Sequence, residues 1–321
     1  MRVRLTQLDG ALPNLALMKL AHWHRERGDE VVTTRVIEPN LFEDRYDRVY
    51  GSAIFDFSQS RLERFRKVWP DAIVGGTGSG SPVTVESITG IEHRGVDYSG
   101  YQDFTDSIGF TQRGCRLKCK FCVVPQKEGK NRSEATIADI WRGVGHPKRL
   151  HLLDNDFFGQ EVWRERIAEI REGKFKVCLS QGVNVRLINV ESSEALASIE
   201  YRNTKFNERR LYTAWDNLGD ERVFFNGVNI LERAGIPAKH LMAYMLIGYD
   251  PLETWERIWH RFNRMVERGI EPYPMVYNRN RRDLLCFQRW VITGLYRIVP
   301  WNEYRRETKS VASVTAWEQA A

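Results

Sequence analysis

Cys115, Cys119 and Cys122 stand in a C-x3-C-x2-C spacing within TQRGCRLKCKFCVVP, and three of the chain's five cysteines therefore fall within eight residues. An odd number of cysteines, most of them clustered, does not suit a disulfide framework and points to metal chemistry. Thiolates are soft ligands for zinc or for iron–sulfur clusters. A [4Fe–4S] cube takes four cysteines as a rule, so three leave one iron open to a small chelating ligand. A closed zinc site is the alternative, and it requires a fourth ligand such as His93, His146 or His151.

The elements that must position this loop follow from the rest of the chain. At 321 residues and 37.5 kDa the sequence exceeds one ordinary domain, and two α/β patterns succeed one another. In residues 1–95, RVRLTQL, EVVTTRVI, RVYGSAIF and DAIVGG read as short buried strands, with helices at Leu15 to Arg27 and Gln59 to Trp69. This predicts a small doubly wound, Rossmann-like sheet. GGTGSGSP, Gly75 to Pro82, follows a strand end, where open parallel sheets bind ligands; it reads as a plain loop because no good helix start succeeds it. From 103 to 280, six strand segments (106–111, 149–154, 174–181, 210–215, 240–248 and 273–278) alternate with helices. One of these, Leu252 to Arg268, carries an apolar stripe of Leu252, Trp255, Ile258, Trp259, Phe262, Met265 and Val266. Six β/α units predict an α/β fold with a partial (β/α)6 TIM-type barrel, whose chemistry belongs at the C-terminal ends of its strands. The cysteine loop ends the first of these strands. Residues 281–321, rich in Trp, Tyr and Arg, are expected to form a helical extension beside the barrel.

The cysteine spacing, with Phe121 before the third cysteine and a six-unit α/β pattern around it, resembles the signature of the radical S-adenosylmethionine (radical SAM) superfamily. The resemblance extends over nearly the whole chain. It implies a [4Fe–4S] cluster on Cys115, Cys119 and Cys122, SAM chelating the unique iron, and reductive cleavage of SAM to a 5′-deoxyadenosyl radical. Superfamily members hold the SAM amine with a motif after the second strand, which here reads LLDNDFFG; Asp154, Asn155 and Asp156 replace the usual Gly-Gly-Glu. A shielded ammonium group requires an anion or acceptor, which Asp154 or Asp156 would supply, while an Asx turn capping a helix near Gly159 is the structural alternative. The third and fourth strands run into SQGVNVRL and TAWDN, where the resemblance nominates Asn184, Arg186 and Asp216 for the ribose and carboxylate of SAM. In YMLIGYDPLET, Ile247 and Gly248 match the backbone that lies against adenine, and Tyr249 to Thr254 is expected to turn into its helix with Pro251 at the start and Glu253 in the first turn.

The N-terminal sheet resembles the cobalamin-binding type of domain found ahead of the barrel in one branch of the superfamily. Many such domains ligate cobalt through an Asp-x-His-x-x-Gly loop, but the corresponding loop reads DGALPN and has no His before His22. His22 and His24 fall within a predicted helix, as surface or packing residues. Cobalamin would therefore bind without protein ligation of cobalt, or the fold is retained without it. Methylthiotransferases carry a second cluster on three cysteines of their N-terminal domain, and this N-terminal region has none. Cys178, in a strand, and Cys286, in a helix, are expected to be packed inside.

With 48 basic against 42 acidic side chains, the net charge of +6 is mild and leaves nucleic acid open as a partner. Arg far outnumbers Lys, which suits recognition of an anion, and YNRNRRD places Arg279, Arg281 and Arg282 near the end of the sixth strand, where a nucleotide or nucleic-acid phosphate would be neutralised; a solvated helix start is the alternative. No apolar run is long enough to span a bilayer, and the N-terminus lacks the order of a signal peptide, so a cytoplasmic location is expected. Three readings follow: a radical SAM enzyme acting on an unidentified substrate, a cobalamin-dependent radical SAM methyltransferase, and a non-catalytic cluster-bearing nucleic-acid binder or sensor. Either enzyme would draw electrons from an external donor such as flavodoxin or ferredoxin.

Overall fold

A computed structural model describes residues 1–307. It divides into two compact units, the first ending at Thr105 and the second beginning at Asp106. The last part of the expected 281–321 extension, residues 308–321, lies outside the described residues.

The first unit runs β1 (Arg2–Gln7), α1 (Leu15–Glu26), β2 (Glu30–Thr34), β3 (Arg48–Ser52), α2 (Gln59–Val68), β4 (Ile73–Gly75) and α3 (Val85–Thr89). Its four strands are all parallel, in the order β2-β1-β3-β4. Side chains alternate across a strand, so the sheet builds two cores. Val3, Leu5, Val31 and Tyr50 pack with Leu17, Leu20 and Ala21 of α1, whereas Ala53 and Val74 pack with Leu62 and Phe65 of α2. Helices on both faces are the doubly wound arrangement expected of these residues. Gly51 is required where α2 closes on β3, because a Cβ there would lie 2.4 Å from Phe65.

GGTGSGSP is more structured than a plain loop. It forms a short turn at Thr77–Ser79 and leads to α3, whose start is a capping box between Thr84 and Ser87. The helix is only five residues long, too short for its apolar periodicity to show in the sequence. The glycines have an internal cause: a Cβ on Gly76 would meet the Ala53 carbonyl oxygen at 2.2 Å, and one on Gly78 would meet that of Phe55 at 2.1 Å.

The second unit continues with β5 (Ser107–Gly109), β6 (Gln112–Arg113), α4 (Val124–Glu128), β7 (Arg132–Ser133), α5 (Ile137–Ile140), β8 (Arg149–Leu152), α6 (Trp163–Glu172), β9 (Lys176–Cys178), α7 (Val190–Ala197) and β10 (Glu200–Tyr201). It ends with β11 (Leu211–Ala214), α8 (Glu221–Arg233), β12 (Leu241–Ile247), α9 (Trp255–Glu267), β13 (Glu271–Val276), α10 (Arg282–Ile292) and α11 (Trp301–Glu307). The six expected strands are β5, β8, β9, β11, β12 and β13. They form two parallel sheets, β10-β9-β8-β5 and β11-β12-β13, in place of one continuous ladder. The ladder breaks because β10 pairs with Lys176 and Val177 of β9, although the chain beyond β9 still reaches β11 where the Val183 N–H donates to the Tyr212 carbonyl (2.8 Å). Among the described residues no closed barrel forms.

In β12, Leu241, Ala243, Met245 and Ile247 are buried while Met242, Tyr244 and Leu246 are half-buried, the period-2 pattern of a sheet with one face under helices. β13 carries Pro272 and Pro274, which a strand tolerates at the sheet edge it occupies. Two members of the expected α9 stripe lie outside the core: Leu252 is 71% exposed and precedes the helix, and Val266 is 38% exposed. The helix starts at Trp255 with Thr254 as its cap, so Pro251 and Glu253 precede it instead of forming its first turn. Arg261 is buried within the same face, a position that apolar periodicity does not reveal.

Candidate cluster site

The cysteine loop leaves the C-terminal end of β5, framed by the antiparallel pair β6 and β7. Its fixed point is Asp154, at the end of β8. The Asp154 carboxylate accepts the N–H of Thr111 (2.7 Å) and of Gln112 (3.1 Å), and the Thr111 hydroxyl donates to its other oxygen. Burial pushes the Asp154 carboxyl up to about 7, against the opposing pull of these donors. Gln112, fully buried, donates to the carbonyls of Arg113 (2.6 Å) and Gly114 (2.8 Å), and its oxygen accepts the N–H of Asp156 (3.0 Å).

Both sides of Cys115 are pinned. Before it, Glu128 accepts the Gly114 N–H (2.9 Å) and the Asn155 side-chain amide (3.0 Å), and pairs with Arg113 at 3.3 Å. Gly114 has φ of 80° and a Cβ there would sit 2.5 Å from the Lys130 carbonyl oxygen, so this close approach excludes any other residue. After it, Asp156 accepts the Arg116 backbone N–H (3.1 Å) and both arms of the Arg116 guanidinium (2.8 and 3.0 Å), and Asn131 donates to it at 3.3 Å.

LLDND was expected to meet the SAM amine or to cap a helix; the structure turns its side chains onto the cysteine loop and shows no helix cap from them. Asp154 and Asp156 are committed to the backbone and guanidinium of the cysteine loop, Asn155 to Glu128, and the next α-helix begins at Trp163 with no side-chain cap from Asp156. Thr111 and Gln112, just before the loop, are fully buried, so their polar groups require partners, which Asp154 and the loop carbonyls supply. Gln112, Arg116, Glu128 and Asn131 are the positioning residues that motif reading missed.

A cavity of about 860 Å³ opens beside the loop, lined by Cys119 and Phe121 of the loop together with Arg186, Asp216, Asp220, Leu246 and Tyr249, among others. Arg186 donates to Asp220 (2.8 Å) and places its other arm 3.9 Å from the Cys119 sulfur. Asp216 accepts the Leu246 N–H (3.0 Å); burial raises its carboxyl, opposed by that hydrogen bond and by Arg261 and Arg186. Arg261 lies beneath, donating to the carbonyls of Trp215 (3.0 Å), Asp216 (3.1 Å) and Leu246 (2.9 Å) and pairing with Glu253. Phe121 meets Tyr249 edge-on, with ring centroids 5.5 Å apart.

Arg186 and Asp216 are thus brought together with the cysteines. Asn184 precedes the short turn Val185–Leu187 without capping it, and it is not among the residues around the cavity. Ile247 is fully buried in β12, and Gly248, at φ 78°, gives its N–H to Glu253 (2.6 Å); the neighbouring Leu246 and Tyr249 line the cavity. Arg281 immediately precedes α10 and pairs with Asp283 at 2.6 Å, the local arrangement of a solvated helix start.

Among the described residues, the three cysteine sulfurs do not form a group lying within 4.8 Å of one another, whereas tetrahedral zinc would draw thiolates to about 3.8 Å apart, given Zn–S near 2.3 Å. Two of the histidines offered as a fourth zinc ligand have other partners: the His93 ring bonds His22 at 2.8 Å, and His151, buried within β8, faces Asp106 at 3.4 Å and the Phe206 ring. Burial pushes the thiols of Cys115 and Cys122 up, so metal loading must displace their protons. Cys178 is fully buried, its thiol pushed up to about 12, and Cys286 is half-buried on α10.

Fold and site together define an α/β protein with a three-thiol loop at a strand terminus, beside a large polar cavity. No family model matches the chain, and no solved structure matches it. A stretch of 59 residues is 36% identical to ribosomal protein uS12 methylthiotransferase RimO from Opitutus terrae, covering 16% of this chain and 12% of that protein. The likeness is short and partial; it hints at the radical SAM superfamily and covers too little of either chain to show membership. No helix among the described residues is long and apolar enough to cross a membrane.

Proposed function

We propose that the protein is a radical SAM enzyme that forms a 5′-deoxyadenosyl radical to abstract hydrogen from a substrate. The observation that carries this reading is the opening of the three-cysteine loop, at the C-terminal end of β5, onto the 860 Å³ cavity with Arg186 and Asp216 in its wall. Cys115, Cys119 and Cys122 would hold the cluster, and the cluster when bound supplies the electron for reductive cleavage of SAM. The cavity falls in the size range of small-molecule sites. Arg186, a fork already anchored by Asp220, would meet the SAM carboxylate, and Asp216 the amine or ribose hydroxyls. Asp154, Asn155 and Asp156 would act through the loop, fixing where Cys115 stands. The electron would come from a flavodoxin- or ferredoxin-like donor.

Methylthio transfer is not carried over from the relative. Beyond the loop only Cys178 and Cys286 remain, one sealed in a strand and one on α10, too few for a second three-thiolate cluster. In the N-terminal unit His24 is committed to Asp29 (2.7 Å) and Tyr50 (3.2 Å), and His22 faces His93 at 2.8 Å, so both histidines of α1 already have side-chain partners within the unit.

The division of labour between two aspartates tests this reading. Asp216→Ala should weaken equilibrium SAM binding by roughly ten- to a hundredfold, the loss of one charge-assisted hydrogen bond. Asp156→Ala should lower iron and sulfide content after anaerobic reconstitution, while the loaded fraction binds SAM as the parent does. Wild-type SAM affinity in Asp216→Ala would return that residue to its structural bond with Leu246.

A further inference from the structure

The N-terminal unit contains a second group of metal-type ligands, independent of the cysteine loop. His22 Nδ1, Glu26 Oε2 and His93 Nε2 form a triangle with edges of 2.8 Å (His22 to His93), 3.4 Å (His22 to Glu26) and 3.9 Å (His93 to Glu26). A tetrahedral zinc ion with ligands near 2.05 Å has edges of about 3.3 Å, which these three bracket. Among the described residues, no other three such ligand atoms lie within 4.8 Å of one another.

Three features build this triangle. His22 and Glu26 are four residues apart on α1, and therefore neighbours on one helix face. His93 is brought to them from the segment after α3 and is buried, with 8% of its surface exposed, so its ring is held in place by packing. Gly95 leaves the space for the His22 ring: a Cβ there would fall 2.3 Å from His22 Cε1. Two imidazoles facing each other at 2.8 Å share a single proton between their lone pairs. A divalent cation would replace that proton with two dative bonds and add the carboxylate.

We propose that His22, Glu26 and His93 form a site for a divalent borderline metal such as zinc, in preference to calcium or magnesium. Two imidazoles and one carboxylate are the ligands of borderline metals; calcium and magnesium take oxygen ligands. Glu26 is 58% exposed on its side chain, so the fourth position is open to water or to a ligand from solvent. The sequence signal is H-x3-E on an amphipathic helix, which gains meaning only when His93 is placed beside it.

Cobalt(II) is the probe that separates this site from the thiols, because a nitrogen/oxygen site shows d–d absorption without the thiolate-to-cobalt charge transfer of a cysteine site. The full chain, reconstituted with iron and sulfide, is titrated with cobalt(II) and then with zinc. One equivalent is expected to give d–d bands without thiolate charge transfer and to be displaced stoichiometrically by zinc. Glu26→Gln, at an exposed position where folding is not at stake, and His22→Ala should each weaken cobalt binding by at least the roughly 10–100-fold that loss of a supporting partner costs. Iron and sulfide content should be unchanged in both variants. The absence of d–d bands in the wild type, or wild-type cobalt affinity in both variants, would overturn the site.

Discussion

Replacing Cys115, Cys119 or Cys122 singly by Ala should abolish the brown chromophore of the reconstituted protein, and the same change at Cys178 or Cys286 should leave it intact. The contrast rests on placement, since all five are chemically the same thiol. Three half-buried sulfurs stand on one loop whose backbone is fixed by Gln112, Glu128, Asp154 and Asp156, and a pre-positioned loop loses little further freedom when it closes around a metal. Cys178 lies inside the small cluster of Phe206 and Tyr212, where a thiolate would be desolvated with no cation to offset it. Iron and acid-labile sulfide analysis with an absorption spectrum reads the result, and far-UV circular dichroism confirms that each variant is folded. A variant without the three loop cysteines that kept full iron and sulfide would refute the assignment.

The second large effect belongs to Asp154. Its carboxyl is pushed up to about 7 in the folded chain by burial, against an ordinary value of 3.8. Between these two values the unfolded chain has released a proton that the folded chain retains, so stability falls as pH rises from about 4 to about 7 and this contribution is flat above that. At 1.36 kcal/mol per pKa unit the loss is on the order of 4 kcal/mol. Asp154→Asn is isosteric, keeps a carbonyl oxygen for the N–H groups of Thr111 and Gln112, and does not titrate. Denaturant unfolding of the two proteins should show their stability difference shifting in favour of the variant across that window and reaching a plateau near neutrality. Parallel pH profiles would mean that Asp154 is ionised throughout and that its three donors outweigh burial.

The strands were legible because they are short apolar runs between turn residues, and all four of the N-terminal unit and all six of the second unit occur near their expected positions. What the sequence could not show was where one ladder stops: β10 is two residues long, and nothing in Glu200 and Tyr201 distinguishes a strand from a turn. α3, five residues long, was hidden for the same reason. At the site, spacing alone singled out the cysteines, and position after β9 and β11 singled out Arg186 and Asp216, which the structure brings to one cavity with Cys119. Asp154 and Asp156 read from sequence as candidates for the SAM amine, and their donors in the cysteine loop were not legible, because a buried carboxylate that holds a loop and one that meets a ligand look alike until its donors are known. Arg116 and Glu128 read as ordinary charged residues, and only the fold brings them to Asp156 and Gly114. Arg261 was masked by the apolar face it interrupts, where its guanidinium is held by three backbone carbonyls and Glu253.

Radical formation at the cysteine loop is tested most directly by incubating the anaerobically reconstituted protein with SAM and dithionite and separating the products by chromatography. The account predicts 5′-deoxyadenosine and methionine in equal amounts, formed only with reductant and absent when Cys115, Cys119 and Cys122 are replaced together. A fully loaded, SAM-binding protein that released no 5′-deoxyadenosine under reduction would contradict it, and would leave the loop as the cluster site of a non-catalytic binder or sensor.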